Sequence, residues 1–257
     1  MGLSATWIAY STLVLKEVRR FTRIWPQTLL PPAITMTLYF VIFGNLIGSR
    51  IGEMDGHRYM EFIVPGLIMM AIITNSYSNV VSSFFSTKFQ HSIEELLVSP
   101  IPNWAILAGY VTGGVARGLA VGLIVTGMAL VFTDLAIQHI GVTVSMVVLT
   151  AILFSLGGFL NALFAKSFDD ISIVPTFILT PLTYLGGVFY SISLLPPIWQ
   201  NLSLANPILY MVNAFRYGIL GVSDIPVGVA YAMVVGFIVV LFGVILVVLN
   251  KGMGIRN

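Results

Sequence analysis

Stretches of about twenty or more predominantly apolar residues, separated by short polar segments, constrain this chain more than any other feature. Blocks of that length cross a bilayer as α-helix, whereas a transmembrane barrel shows alternating segments of about ten residues. Six such spans are read at approximately Thr28–Ile47, Phe62–Phe84, Ile106–Thr133, Ile140–Ala165, Ile171–Ser191 and Val227–Leu249. The composition agrees. Of 257 residues 58% are hydrophobic and only 9% charged, against about 25% charged in an average soluble domain. Too few charges remain to cover a soluble globule, so most of the surface faces hydrocarbon.

The net charge of +2 is spread too thinly to form a phosphate-binding face, which argues against a nucleic-acid partner. With no cysteine, disulfides and thiolate metal sites are excluded. Met1–Thr22 carries its basic residues after its apolar ones, the reverse of a cleaved signal peptide. The basic residues set the orientation instead. With the N-terminus inside, Lys16, Arg19, Arg20, Arg23, Lys88, Lys166, Lys251 and Arg256 are cytoplasmic, and only Arg50, Arg58 and Arg216 lie outside. Six spans then return the C-terminus to the inside. Arg117 falls within the third span, toward its cytoplasmic third.

Three pieces outside the spans carry more information. Residues 4–25 read as an amphipathic helix in the cytoplasmic headgroup layer. Lys16, Arg19, Arg20 and Arg23 share one face at i, i+3, i+4 and i+7, turned toward anionic lipid, and Trp7, Tyr10, Val14, Val18, Phe21 and Trp25 line the other. Pro26 breaks this helix before the first span. It serves either as a membrane anchor or as a moving part in transport. The loop 89–99 contains a capping box, Ser92 with Glu95, and a small apolar face of Ile93, Leu96 and Leu97, stopped by Pro100 and Pro102. So short a helix does not hold alone in water, so it packs on its own bundle or docks into a cytoplasmic partner. Residues 195–220 are broken by Pro196, Pro197 and Pro207 and scattered with Asn201, Asn206, Asn213 and Arg216. Lipid cannot satisfy backbone released by such breaks. The segment is therefore read as a re-entrant outer hairpin of two short helices between spans five and six.

No nucleotide-binding loop is present, since Lys166-Ser167 lacks the glycines of a phosphate cradle. His57, His91 and His139 fall in loops without metalloprotease or nucleophile-elbow spacing, which argues against an intramembrane enzyme and a metal site. Ionisable groups are expected only near span ends, at Glu61 and Arg117, which disfavours ion-coupled transport. Two uncharged polar seams remain: Asn75, Ser78, Asn79 and Ser82 on span two, and Thr176, Thr180, Thr183 and Gly187 on span five, which also carries the kink-forming Pro175 and Pro181. Each either hydrogen-bonds to a neighbouring helix or lines a polar pathway. Gly114, Gly118 and Gly122 at four-residue spacing are expected to bring span three close to a neighbour.

The basic helix before span one, the element QHSIEELLVSP, and the C-terminal stretch LGGVFYSISLLPPIWQNLSLANPILYMVNAFRYGILG with its Leu-Pro, Asn-Pro and Arg-Tyr landmarks together resemble one family. This is the permease subunits of ABC-2 exporters, in their compact bacterial form. The resemblance covers essentially the whole chain as one domain and implies an all-α membrane protein of six helices. Two copies would pair over two copies of an ATP-binding subunit, which holds the ATP and Mg; this chain itself would bind no cofactor and be no enzyme. Ser92, Ile93, Glu94, Glu95, Leu96 and Leu97 would form the coupling helix that enters that subunit. Asn75, Ser78, Asn79, Ser82, Thr176, Thr180, Thr183 and Tyr184 would line the translocation path between spans two and five. Pro196, Pro197, Asn206, Pro207 and Arg216 would belong to the outer gate. Asn, Ser and Thr beside Tyr77 and Tyr184 suit an amphipathic, lipid-linked or glycan-type cargo better than a fixed charge. The rival readings are a membrane scaffold or assembly factor, and a passive channel.

Overall fold

The computed structural model describes residues 3–93, 95 and 99–253. Its first helix, α1 (Leu3–Arg23), ends on Arg20 and Arg23, whose positive charges complement the carbonyl end of the helix dipole. The chain turns at Ile24, and the Thr28 hydroxyl fixes the corner by donating to the Phe21 carbonyl at 2.9 Å. Pro26 sits in the first turn of the next helix, where its missing N–H costs nothing. That helix, α2 (Trp25–Ile51), widens to π-helical geometry over Phe40–Ile47.

A two-stranded hairpin follows, with β1 (Glu53–Met54) antiparallel to β2 (His57–Arg58). Its turn is Asp55-Gly56, both at positive φ, the pair that matches the twist of a two-residue hairpin loop. The α-helices that follow among the described residues include α3 (Tyr59–Phe89), α4 (Asn103–Phe132), α5 (Ile140–Phe164), α6 (Asp170–Leu185), α7 (Pro197–Leu204), α8 (Pro207–Leu220) and α9 (Val227–Asn250). α1 packs at one end of the bundle and the β1–β2 hairpin lies at the other, the hairpin end.

Among the described residues, five helices, α2, α3, α4, α5 and α9, are long and apolar enough to cross a membrane. The remaining expected span, the fifth in chain order, differs. It stops at Leu185 rather than Ser191, leaving a helix of sixteen residues, about 24 Å against a hydrocarbon core of about 30 Å. The chain turns away at Gly186-Gly187, with Gly187 at φ +69°, and Val188 then packs on α3 where Gly66 presents no side chain. The start of α6 is fixed by reciprocal bonds. The Asp170 carboxylate accepts from the Lys166 and Ser167 N–H groups at 2.8 and 3.1 Å, and the Ser167 hydroxyl accepts from the Asp170 N–H at 3.2 Å.

α3 is the central helix, enclosed by α4, α5 and α8. Phe84 packs against Phe159 and Tyr110 with ring centroids 4.1 and 5.3 Å apart. Lys88 ties the end of α3 to that of α5, donating to the Leu163 and Ala165 carbonyls at 2.6 and 2.8 Å. The glycines of α4 present two stripes. A Cβ at Gly118 would strike the Ser76 hydroxyl, and one at Gly122 would lie 2.9 Å from Ile72, so this stripe seats α4 on α3. At Gly109 and Gly113 a Cβ would lie 2.8 and 2.5 Å from the Cβ atoms of Leu13 and Glu17, so the second stripe seats α1.

Gly118→Val should therefore force the α3–α4 contact apart and destabilise the fold by at least about 1–3 kcal/mol, the cost of overpacking. Gly127→Ala, where a Cβ meets nothing within 4 Å, should leave the melting temperature in detergent unchanged; equal losses for both variants would refute the packing assignment.

Candidate functional site

The N-terminal helix does not turn its whole basic face outward. Leu13, Glu17 and Phe21, one turn apart, are buried against the bundle, and Glu17 is 0% exposed. Its carboxylate accepts a hydrogen bond from the Ser83 hydroxyl at 2.7 Å and lies 3.3 Å from the Arg20 guanidinium. Arg20 continues inward, donating to the Asn79 carbonyl and side-chain oxygen at 2.9 and 2.8 Å. Lys16 stays half-exposed, 4.0 Å from Glu17 and over the Tyr110 ring. Arg19 and Arg23 are exposed. Expecting all four basic residues to meet lipid was thus wrong for Arg20: a buried carboxylate one turn away and the Asn79 acceptors draw it inward.

Arg117 is the second departure. It lies fourteen residues into α4, well away from either end, and donates to the Asn75 side-chain oxygen at 3.1 Å and the Thr28 carbonyl at 3.3 Å. Ionisable groups therefore enter the bundle at Glu17, Arg20 and Arg117, contrary to the expectation that they stay at span ends. Glu17 carried a readable signal, a lone acid in register with the apolar residues Leu13 and Phe21. Thr28 and Ser83 carried none, because only the docking of α1 gives them partners.

The polar seam expected along α3 divides. Asn75 and Asn79 face α1 and α4 and are engaged by the two arginines. Ser78, half-buried, faces α6 and lines a cleft of about 50 Å³ with Met70, Thr74, Pro175, Thr180 and Thr183. Ser82 is half-buried and bonds back to the Asn79 carbonyl at 3.2 Å. The hydroxyls of Thr180 and Thr183 are held by the Pro175 and Leu179 carbonyls of their own helix. Thr176 is exposed on α6 outside this cleft. Tyr184 is exposed and stacks on Phe189, with its carbonyl accepting from the Tyr190 hydroxyl at 3.0 Å. Burial pushes the Tyr190 phenol above its usual pKa, so it stays protonated as that donor.

Of the loop after α3, Ser92 donates to the Thr87 carbonyl at 3.1 Å, Ile93 is buried in the core and Glu95 is exposed. Glu94, Leu96 and Leu97 lie outside the described residues. His91, at φ +59°, turns the chain out of α3.

At the hairpin end, Pro196 and Pro197 open α7. Asn206 caps α8, accepting from the Ile208 N–H at 3.0 Å while donating to the Leu182 carbonyl of α6 at 2.6 Å, and Pro207 starts the helix. Arg216 is fully buried. It lies 3.8 Å over the Phe62 ring and donates to the Gly187 and Phe62 carbonyls at 2.6 and 3.3 Å. Of the gate candidates, Asn206 and Arg216 therefore join α8 to α6, to the turn after it and to the start of α3. Among the described residues, no group of three or more His, Asp or Glu is placed to hold a metal.

These features define a polytopic helical membrane protein whose polar chemistry lies between helices. Residues 8–220 match the model of the ABC-2 type transporter family. The chain is 60% identical over 98% of both sequences to the inner membrane transport permease YadH of Escherichia coli K12. It is 22% identical to nodulation protein J of Rhizobium leguminosarum bv. viciae, covering 72% of this chain and 71% of that one. A similar match, 21% identical over 74% of this chain and 73% of the other, is to nodulation protein J of Rhizobium meliloti 1021. The chain belongs to the ABC-2 type transporter family. It is a multi-pass inner-membrane transport protein.

Glu17→Ala should strand the Arg20 guanidinium and destabilise the protein by about 3–5 kcal/mol, the cost of breaking a buried ion pair. Replacing both, Glu17→Met with Arg20→Met, should cost less than the sum of the single changes; strict additivity in a thermal-melt cycle would refute the pairing.

Proposed function

We propose that this chain is the membrane-spanning permease subunit of an ATP-driven exporter. In this reading six helices cross the membrane with both termini inside, α6 being the short one, and α7 and α8 dip into the outer leaflet as a gate. Two copies form the translocation path over two copies of a separate ATP-binding subunit, where ATP and Mg are held. The segment Ser92–Leu97 enters that subunit with Glu94 and Glu95 facing it. Its cargo is amphipathic, lipid-linked or of glycan type.

The observation that carries the reading is the double use of α3. One of its faces is gripped by α1 through Glu17, Arg20, Asn79 and Ser83. The face beside it lines the cleft with α6 at Ser78, Thr180 and Thr183. A tilt of α1 and of the loop after α3, driven from a partner beneath, therefore reaches the wall of the path through one rigid helix. A permease that takes its energy from another subunit needs such a linkage.

The absence of cysteine gives a clean assay. Ser78→Cys with Thr180→Cys, bridged by a bifunctional thiol reagent in the assembled complex, should change its cross-linking yield severalfold on adding ATP. The added pair Glu17→Gln and Arg20→Gln should remove that response. Glu94→Ala with Glu95→Ala should abolish stimulation of the partner's ATPase while leaving the fold intact. Failure of any ATP-binding subunit to copurify would favour a scaffold, and flux without ATP a passive channel.

A further inference from the structure

At the hairpin end, the termini of α2, α3 and α4 line a half-open cavity of about 340 Å³, with Arg58 and Asp134 exposed at its mouth. One wall is the glycine row Gly44, Gly48 and Gly52 on the widened turns of α2 and just beyond. A side chain at Gly44 would run into Met60, and none of the three glycines projects anything into the space. The other walls carry charge of both signs: Arg58 from β2, Glu61 from the first turn of α3, and Asp134 just past α4.

These charges do not satisfy one another. Among the described residues, Arg58 and Asp134 have no oppositely charged group within 4.0 Å, and Glu61 has only the His57 ring at 3.6 Å. A cation and two carboxylates thus line one cavity at the ends of α2, α3 and α4. The ligand that compensates them carries both a phosphate and a primary amine. A guanidinium forks onto phosphate oxygens, and an ammonium supplies N–H donors to carboxylates. A quaternary amine has no such donor, and a purely anionic headgroup would meet the two carboxylates. Next to the lining in the chain, Ile51 beside Gly52 and Val131 beside Phe132 are exposed and apolar. They give the tails of an amphiphile an apolar surface to follow.

We propose that this cavity binds the headgroup of a phosphoethanolamine lipid from the adjoining leaflet. Its role as an exit-side contact for amphipathic cargo rests on the permease reading; the binding itself does not. The full chain in detergent would be titrated in native mass spectrometry with phosphatidylethanolamine, phosphatidylcholine and phosphatidylglycerol of identical acyl chains. Phosphatidylethanolamine should be retained about tenfold better than either, the effect of about 1.4 kcal/mol in favourable pairing. Arg58→Gln, and separately Glu61→Gln with Asp134→Asn, should erase that preference at unchanged melting temperature. If the double variant fails to fold, Asp134→Asn alone, at an exposed position, should still lower it.

Equal retention of the three lipids, a preference for phosphatidylglycerol, or a preference that survives the variants would overturn the proposal. So would equally tight binding of water-soluble phosphoethanolamine, which would assign the site to a free ligand. None of these outcomes depends on ATP, so copurification of an ATP-binding subunit judges the permease reading separately.

Discussion

The contact of α1 with α4 across Gly109 and Gly113 is the constraint on which the polar interior depends. With no side chain at these positions, the Cβ atoms of Leu13 and Glu17 come close to the α4 backbone. Only at that separation can Glu17 and Arg20 reach Ser83 and Asn79 on α3. The stripe of Gly118 and Gly122 does the same for α3, letting Ser76 lie against Gly118. Close backbone approach replaces the hydrophobic driving force that lipid removes from helix association, and it also shields the charges that have entered the bundle.

The distribution of burial follows from the same physics. The most apolar 18-residue stretch of α3 has a mean hydropathy of 1.4 with 78% of its residues buried, whereas that of α9 reaches 3.2 with 22% buried. In a bilayer the most apolar helix faces outward, and the helix with hydroxyls and amides must be enclosed. Enclosure makes α3 the helix that can connect separate regions. It touches the N-terminal helix on one face, the cleft beside α6 on the next, and Arg216 through the Phe62 carbonyl near its start.

Much of the fold was legible because lipid leaves few alternatives to long helices. Spans read at Phe62–Phe84 and Ile140–Ala165 appear as Tyr59–Phe89 and Ile140–Phe164. The errors have definite causes. The helix expected to reach Ser191 ends at Leu185, since Gly187 adopts a left-handed conformation and Val188 finds a place against Gly66. Nothing local distinguishes those glycines from the ones buried inside α4. The four-residue seam on α3 shared a helical face by spacing, yet Asn75 and Asn79 meet arginines while Ser78 meets α6. Neighbours on both sides, not periodicity, divided them.

By itself the sequence determined the class of protein. With so few charges, long apolar runs and basic residues gathered beside them, only a multi-pass helical membrane protein satisfies the chain. Pro26, the Pro196-Pro197 pair and the Asn206-Pro207 pair likewise determined where helices begin, whereas Pro65, Pro175 and Pro181 lie inside helices. The tertiary structure decided how the charges are used. Arg20 and Arg117 look alike in composition to any lipid-facing base. Their roles follow from helices that meet only after folding, because a buried charge is tolerated only where another helix supplies its partner.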